Sequence, residues 1–221
     1  MRPSKLWLGL GAILALALIG CAATMHEAEP GKPLALGEDT ALVFGRIAVA
    51  ENSRPVALGG IFELPAEANI IHLDGVAEDI SVSLEDDGGF YLVVPRGTYL
   101  VTAVAGRFDP KTAFRVPPRA QNDGADAYYL GALRLDVGGE DALIGRRYVL
   151  TGVRLDDEFE PARETLAKRY PDFAGSVDKS LMVHSDEIPE AAQARRELQQ
   201  REQRRVLLNT IGSVLRSLTT H

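Results

Sequence analysis

One cysteine stands in 221 residues, Cys21, and it follows Leu18-Ile19-Gly20 at the end of an uncharged apolar run over residues 6–19. A single thiol forms no intramolecular disulfide and no cysteine-rich zinc module. It forms a stable thioether, and Gly20 offers no side chain to hinder cleavage of the bond before it. Other chemistry-bearing groups are sparse. Ser176-Val177-Asp178-Lys179 matches the spacing of a serine nucleophile with a lysine base, without the partner motifs of such enzymes. His72 lies in a strand-like stretch two residues from Asp74; such a pair serves as base or metal ligand, or packs as a half-buried strand histidine. Glu85-Asp86-Asp87 supplies oxygens, but calcium takes six or more, and a solvated turn is the competing reading. Asp156-Asp157-Glu158 with Glu160 complements the dipole of a helix start. No P-loop, nucleophile elbow, zincin helix or dinucleotide fingerprint occurs after Cys21. The sequence therefore names no catalytic residue, no metal ligand and no cofactor.

Arg2 and Lys5 precede the apolar run, whose 14 residues are short of the roughly 20 that span a bilayer as a helix. Residues 1–20 read as a secretory signal. Leu18-Ile19-Gly20-Cys21 resembles a bacterial lipobox. That resemblance implies cleavage after Gly20, S-diacylglycerol on the Cys21 sulfur and N-acylation of its new amino group. One acyl chain anchors marginally, whereas two or three hold firmly. Ala22, where sorting rules read Asp as an inner-membrane signal, implies the outer membrane facing the periplasm. No later apolar run approaches 18 residues.

Composition sets the outer bounds. The chain is 46% hydrophobic and 25% charged, as globular proteins are. Lys and Arg number 24 against 31 Asp and Glu, net −7, which disfavours nucleic-acid binding. The imbalance is uneven: residues 21–188 are strongly acidic, whereas six Arg against three Glu make the chain from Pro189 onward basic.

Residues 21–40 are small, polar and proline-containing, and read as a flexible tether of roughly 25 Å with Met25 and His26 solvated. Residues 41–182 read as a β-sandwich domain. Strands are expected near 41–49, 69–73, 80–84, 90–94, 98–105, 113–116, 127–137 and 148–155. Ile80-Ser81-Val82-Ser83-Leu84 alternates at period two, and Asp87-Gly88 suits a tight hairpin. The 80–84, 90–94 and 98–105 strands form a meander in this reading. A helix is expected near 159–170, stopped by Pro171, and a C-terminal amphipathic helix over 186–219. Leu208, Ile211, Leu215 and Leu218 recur every three or four residues on that helix. With Arg195, Arg196, Arg201, Arg204 and Arg205 they are the candidate contacts for an envelope protein or a second copy. Packing on the sandwich and lying on anionic lipid are the competing readings.

Gly89, Phe90, Pro95, Gly97 and Tyr99, in a Gly-aromatic then Pro-x-Gly-x-Tyr pattern, resemble the carboxypeptidase regulatory-like, transthyretin-like family. The resemblance implies a mainly β, transthyretin-like (Ig-like) antiparallel sandwich, extended here by a short helix and a long C-terminal one. It implies a binding, structural or partner-docking module without peptidase chemistry. The expected function is that of a lipid-anchored, non-enzymatic envelope module. The alternative is an envelope hydrolase with an unrecognised site.

Overall fold

The computed structural model describes residues 25–34, 36–59, 64–74, 79–119, 125–141, 146–173 and 175–219, with side chains through 211. The signal segment, Leu18, Ile19, Gly20 and Cys21 lie outside them, as do the side chains of Leu215 and Leu218.

In chain order the strands are β1 (His26–Glu27), β2 (Thr40–Glu51), β3 (Arg54–Pro55), β4 (Glu67–His72), β5 (Asp79–Ser83) and β6 (Gly89–Pro95). They continue as β7 (Gly97–Val104), β8 (Thr112–Val116), β9 (Ala127–Asp141), β10 (Arg146–Asp156), β11 (Val177–Lys179) and β12 (Val183–His184). Helix α1 (Phe159–Arg169) follows β10, and α2 (Pro189–Thr219) ends the described chain. The larger sheet runs β1-β6-β2-β9-β10, with β3 on β2 and β11 on β9. The smaller runs β12-β8-β7-β4-β5. Val43, Ile47, Leu92, Leu133 and Leu135 of the larger sheet meet Ile70, Val82, Tyr99, Val101 and Phe114 of the smaller in one core. The protein is thus a mainly β sandwich with a long C-terminal helix.

Two expectations about connectivity are corrected. The 80–84, 90–94 and 98–105 strands do not form a meander. β5 pairs with β4 in the smaller sheet, β6 lies between β1 and β2 in the larger, and β7 returns to the smaller. Residues 84–88 and Arg96 therefore cross between sheets. The cause is burial. β5 alternates and suits a half-exposed edge, whereas Phe90-Tyr91-Leu92-Val93-Val94 is apolar throughout and suits a strand covered on both faces. Phe90, Leu92 and Val94 face the inter-sheet core, and Val93 faces α1. Nor is the sandwich purely antiparallel: β2 and β9 pair in parallel along most of their length, and β11 joins β9 in parallel.

The tether reading changes as well. Met25 is 7% exposed and belongs to the inter-sheet core, not to solvent, although His26 is exposed. β1 pairs with β6 through His26↔Val93 and Glu27↔Leu92. A Glu27 carboxylate oxygen accepts the Ser83 N–H at 2.6 Å, so this short strand ties both sheets. Leu34 and Leu36 pack against the cluster beneath α1. A thioether that fits into the core is as satisfied there as a branched residue, and one apolar side chain carries no periodicity by which to see it coming.

The helices cover the two outer faces. Leu166 of α1 is fully buried against Phe44 and Tyr129 of the larger sheet and against Tyr170, which caps the same helix. At α2, Ala191 is fully buried against Leu100 and Ala113 of the smaller sheet and against Ile188 just before the helix.

Candidate functional site

The C-terminal helix divides into a clamped half and a bare half. Ala191, Ala194 and Leu198 face the smaller sheet, small enough at two positions to let the helix approach closely. The Arg195 guanidinium, 16% exposed, donates to Asp109 Oδ2 at 3.2 Å. Glu190 pairs with Arg115 at 3.1 Å. Beneath them, a 3-10 turn over Ser185–Glu187 is closed by reciprocal bonds: His184 Nδ1 accepts the Asp186 N–H, and the Glu187 carboxylate accepts the His184 N–H. That fixes the angle at which α2 leaves the sandwich.

From residue 199 to 211 every side chain is exposed. Val206 is 55% exposed, Leu207 59%, Leu208 68% and Ile211 46%; the other exposed large apolar side chains of the described residues are Val149 and Val153. At roughly 100° per residue, the stripe of Leu207, Leu208 and Ile211 is centred roughly 130° away from the docking face of Ala191, Ala194 and Leu198. A straight helix cannot turn that stripe onto its own sandwich. The first ten residues of α2, up to Leu198, are held by the body, and the apolar stripe is left to something else.

The arginines split accordingly. Arg195 is structural, paired with Asp109. Arg201 pairs within the helix with Glu197 at 4.0 Å and Arg205 with Glu202 at 2.9 Å, both exposed and worth at most a few tenths of a kcal/mol. Arg196 and Arg204 are exposed beside them. The bare half therefore presents an apolar stripe on a basic helix, above a strongly acidic body.

The other chemistry-bearing groups are distributed as follows. The Ser176 hydroxyl oxygen accepts the Asp126 N–H at 3.0 Å, and Lys179 pairs with Asp157 at 2.7 Å. Three residues apart on an extended segment, they point to opposite faces and do not form a nucleophile and base. His72 and Asp74 do come together. A Cβ at Gly97 would lie 2.5 Å from His72 Nε2 and 2.7 Å from Asp74 Oδ2, so only glycine lets the backbone pass between them. His72 stacks on Tyr99 with ring centroids 4.8 Å apart, and Asp74 accepts the Thr98 N–H at 2.6 Å. Beside them lies a cavity of about 360 Å³ lined by Asp74, Arg96, Thr98, Arg115 and Glu190; Ser176 is not part of its wall. Asp87 caps its own turn through the Gly89 N–H, and Glu85 pairs with Arg169. Among the described residues no three His, Cys, Asp or Glu converge as a metal site.

Sequence reasoning missed two networks. Arg96, at the crossover from β6 to β7, donates to the Pro117 and Ala125 carbonyls and to the Tyr128 hydroxyl, closing that end of the sandwich. Beside α1, Arg134 bridges Asp156 and Glu158. There the Lys179 ammonium holds the Asp157 carboxyl below its usual range, while burial pushes the Tyr91, Tyr129 and Tyr170 hydroxyls up. Lone charges between apolar strand residues gave no local signal of either network.

No family model and no curated protein matches the sequence. Among solved structures, the chain is similar to a DUF3823 family protein from Parabacteroides merdae. The match is 15% identical over 54% of this chain, at a TM-score of 0.24, and spans 60% of that protein's length. A likeness that distant carries no argument about function. Among the described residues no helix is long and apolar enough to cross a membrane.

Proposed function

We propose that this chain is a lipid-anchored cell-envelope protein whose transthyretin-like sandwich holds out the distal half of α2 as a docking arm for a protein partner. The observation that carries it is the exposed stripe of Leu207, Leu208 and Ile211, aimed away from the face by which the same helix is clamped. Soluble proteins rarely leave contiguous apolar surface bare without a partner for it. The Leu18-Ile19-Gly20-Cys21 segment supports attachment through Cys21, and Ala22 supports the outer membrane, facing the periplasm. The module binds and positions; it does no covalent chemistry.

The test is crosslinking in intact envelopes, comparing the full chain with a chain ending at Gln199 and with Leu208→Asp. Docking through the arm predicts a defined crosslinked species that both changes abolish while anchoring and abundance stay the same. The same crosslinks from all three chains would refute it.

A further inference from the structure

The point at which the N-terminal chain joins the sandwich determines which part of the protein meets the membrane. β1 runs antiparallel to β6, with Glu27 opposite Leu92 and His26 opposite Val93. Read backwards, the chain passes Met25 and leaves at the Pro95 end of β6. The same end carries Thr40, opposite Pro95, and Asp39, whose carbonyl accepts the Arg96 N–H. It also carries residues 117–119, just past Val116, which pairs with Gly97. Met25 is buried, so only four residues, 21–24, run from the anchor site to the sandwich. Four residues reach at most about 14 Å. The expectation of a roughly 25 Å tether does not survive that count.

We infer that the sandwich is seated directly on the phospholipid headgroups by its Pro95 end, the end that also carries Asp39, Arg96 and residues 117–119. This rests on the lipid-anchor reading of Cys21 given above. The opposite end, where β9 and β10 extend to Asp141 and Arg146, is held clear of the surface. Along β2 and β9 the two ends are roughly 40 Å apart at about 3.3 Å per residue.

The chain's single cysteine makes the test clean, because a lipidated Cys21 leaves no other thiol to label. Glu38→Cys places a dye at the Pro95 end and Glu140→Cys places one at the far end. Both side chains are exposed and neither carries an ion pair among the described residues. Each full-length chain is purified from membranes, its mass measured to establish lipidation, and its fold checked by circular dichroism. It is then reconstituted in vesicles of phosphatidylethanolamine and phosphatidylglycerol carrying a headgroup acceptor dye. Seating predicts strong energy transfer from position 38 and weak transfer from position 140. It further predicts that about twenty Gly/Ser residues inserted between Thr24 and Met25, which add roughly 25 Å of reach, cut the transfer at 38. Equal transfer from both positions, stronger transfer from 140, or no response to the insertion would each overturn the seating while leaving the anchor intact. A mature chain without lipid mass would overturn the anchor itself, and the seating with it.

Discussion

Cutting α2 at two places separates its clamp from its arm. A chain ending at Gln199 loses only residues whose described side chains are exposed. Its stability should stay within about 0.5 kcal/mol of the full chain, as surface changes usually do. A chain ending at Ile188 also loses Ala191, Ala192 and Leu198 and uncovers Leu100 and Ala113. At about 0.8 kcal/mol per buried methyl-sized group, the two alanines contribute roughly 1.6 kcal/mol. Half-buried Leu198 and newly wetted Leu100 contribute about 1 kcal/mol each. The Arg195–Asp109 pair, with Asp109 largely wet, adds at most about 1 kcal/mol. The expected cost is therefore about 4 kcal/mol. The assay is urea unfolding followed by circular dichroism on the unlipidated chain from Ala22, since Trp7 is the chain's sole tryptophan and precedes Cys21. A loss above about 1 kcal/mol on cutting at Gln199 would mean that the distal half packs on the body, and the docking arm would be gone. No loss on cutting at Ile188 would mean that the clamp contributes nothing.

Three further outcomes are expected. Met25→Ala should cost about 2–4 kcal/mol in the same urea assay, as truncation of a core methionine does; a cost near zero would return residues 21–40 to a free tether. Gly88→Ala should cost about 2–4 kcal/mol, because Gly88 has φ +83° and a Cβ there would sit 2.0 Å from the Ile47 carbonyl oxygen; wild-type stability would show that the crossover relaxes freely. Stability should fall as pH climbs past 10, with Tyr99 the main cause. Its ring is fully buried, its hydroxyl donates to the Pro95 carbonyl, and burial pushes its pKa well above the usual 10.0. The folded chain holds that proton more tightly than the unfolded one, so its contribution is complete below pH 10 and drains away above it. Tyr99→Phe should flatten the alkaline limb of a pH–stability curve, and an unchanged limb would refute the assignment.

Much of the sandwich was legible because period-two alternation and turn residues are local signals. The ranges near 41–49, 113–116 and 148–155 match β2, β8 and β10 to within a few residues. Partnership was not legible. Asp87-Gly88 serves a hairpin and a sheet-to-sheet crossover equally well, since both need the positive φ that Gly88 supplies. The β2–β9 pairing joins residues far apart in the chain, and no local pattern encodes it. In α2 the helix itself was plain, but whether its Leu-rich half packs on the sandwich or meets a partner was not. The packing is done by Ala191 and Ala194, whose small side chains give a weak hydrophobic signal and a close approach. The arginines were visible as a group; that Arg195 is bound to Asp109 and Arg204 is not depends on a residue 86 positions away.

The parallel seam of β2 and β9 has a kinetic consequence. β2 meets β6 early in the chain, yet its other edge stays open until residues 127–137 have been made and have arrived. Pairings of such long sequence separation slow folding, because the loop between them must close before any contact repays it. In the interval β2 exposes unpaired backbone flanked by Val43, Ile47 and Val49, the kind of edge that recruits other chains. A chain emerging amino end first is therefore most prone to aggregate between the completion of β6 and the arrival of β9. Substitutions along the Leu42–Ala127 to Glu51–Val137 register would lengthen that window more than equally destabilising ones in α1 or α2.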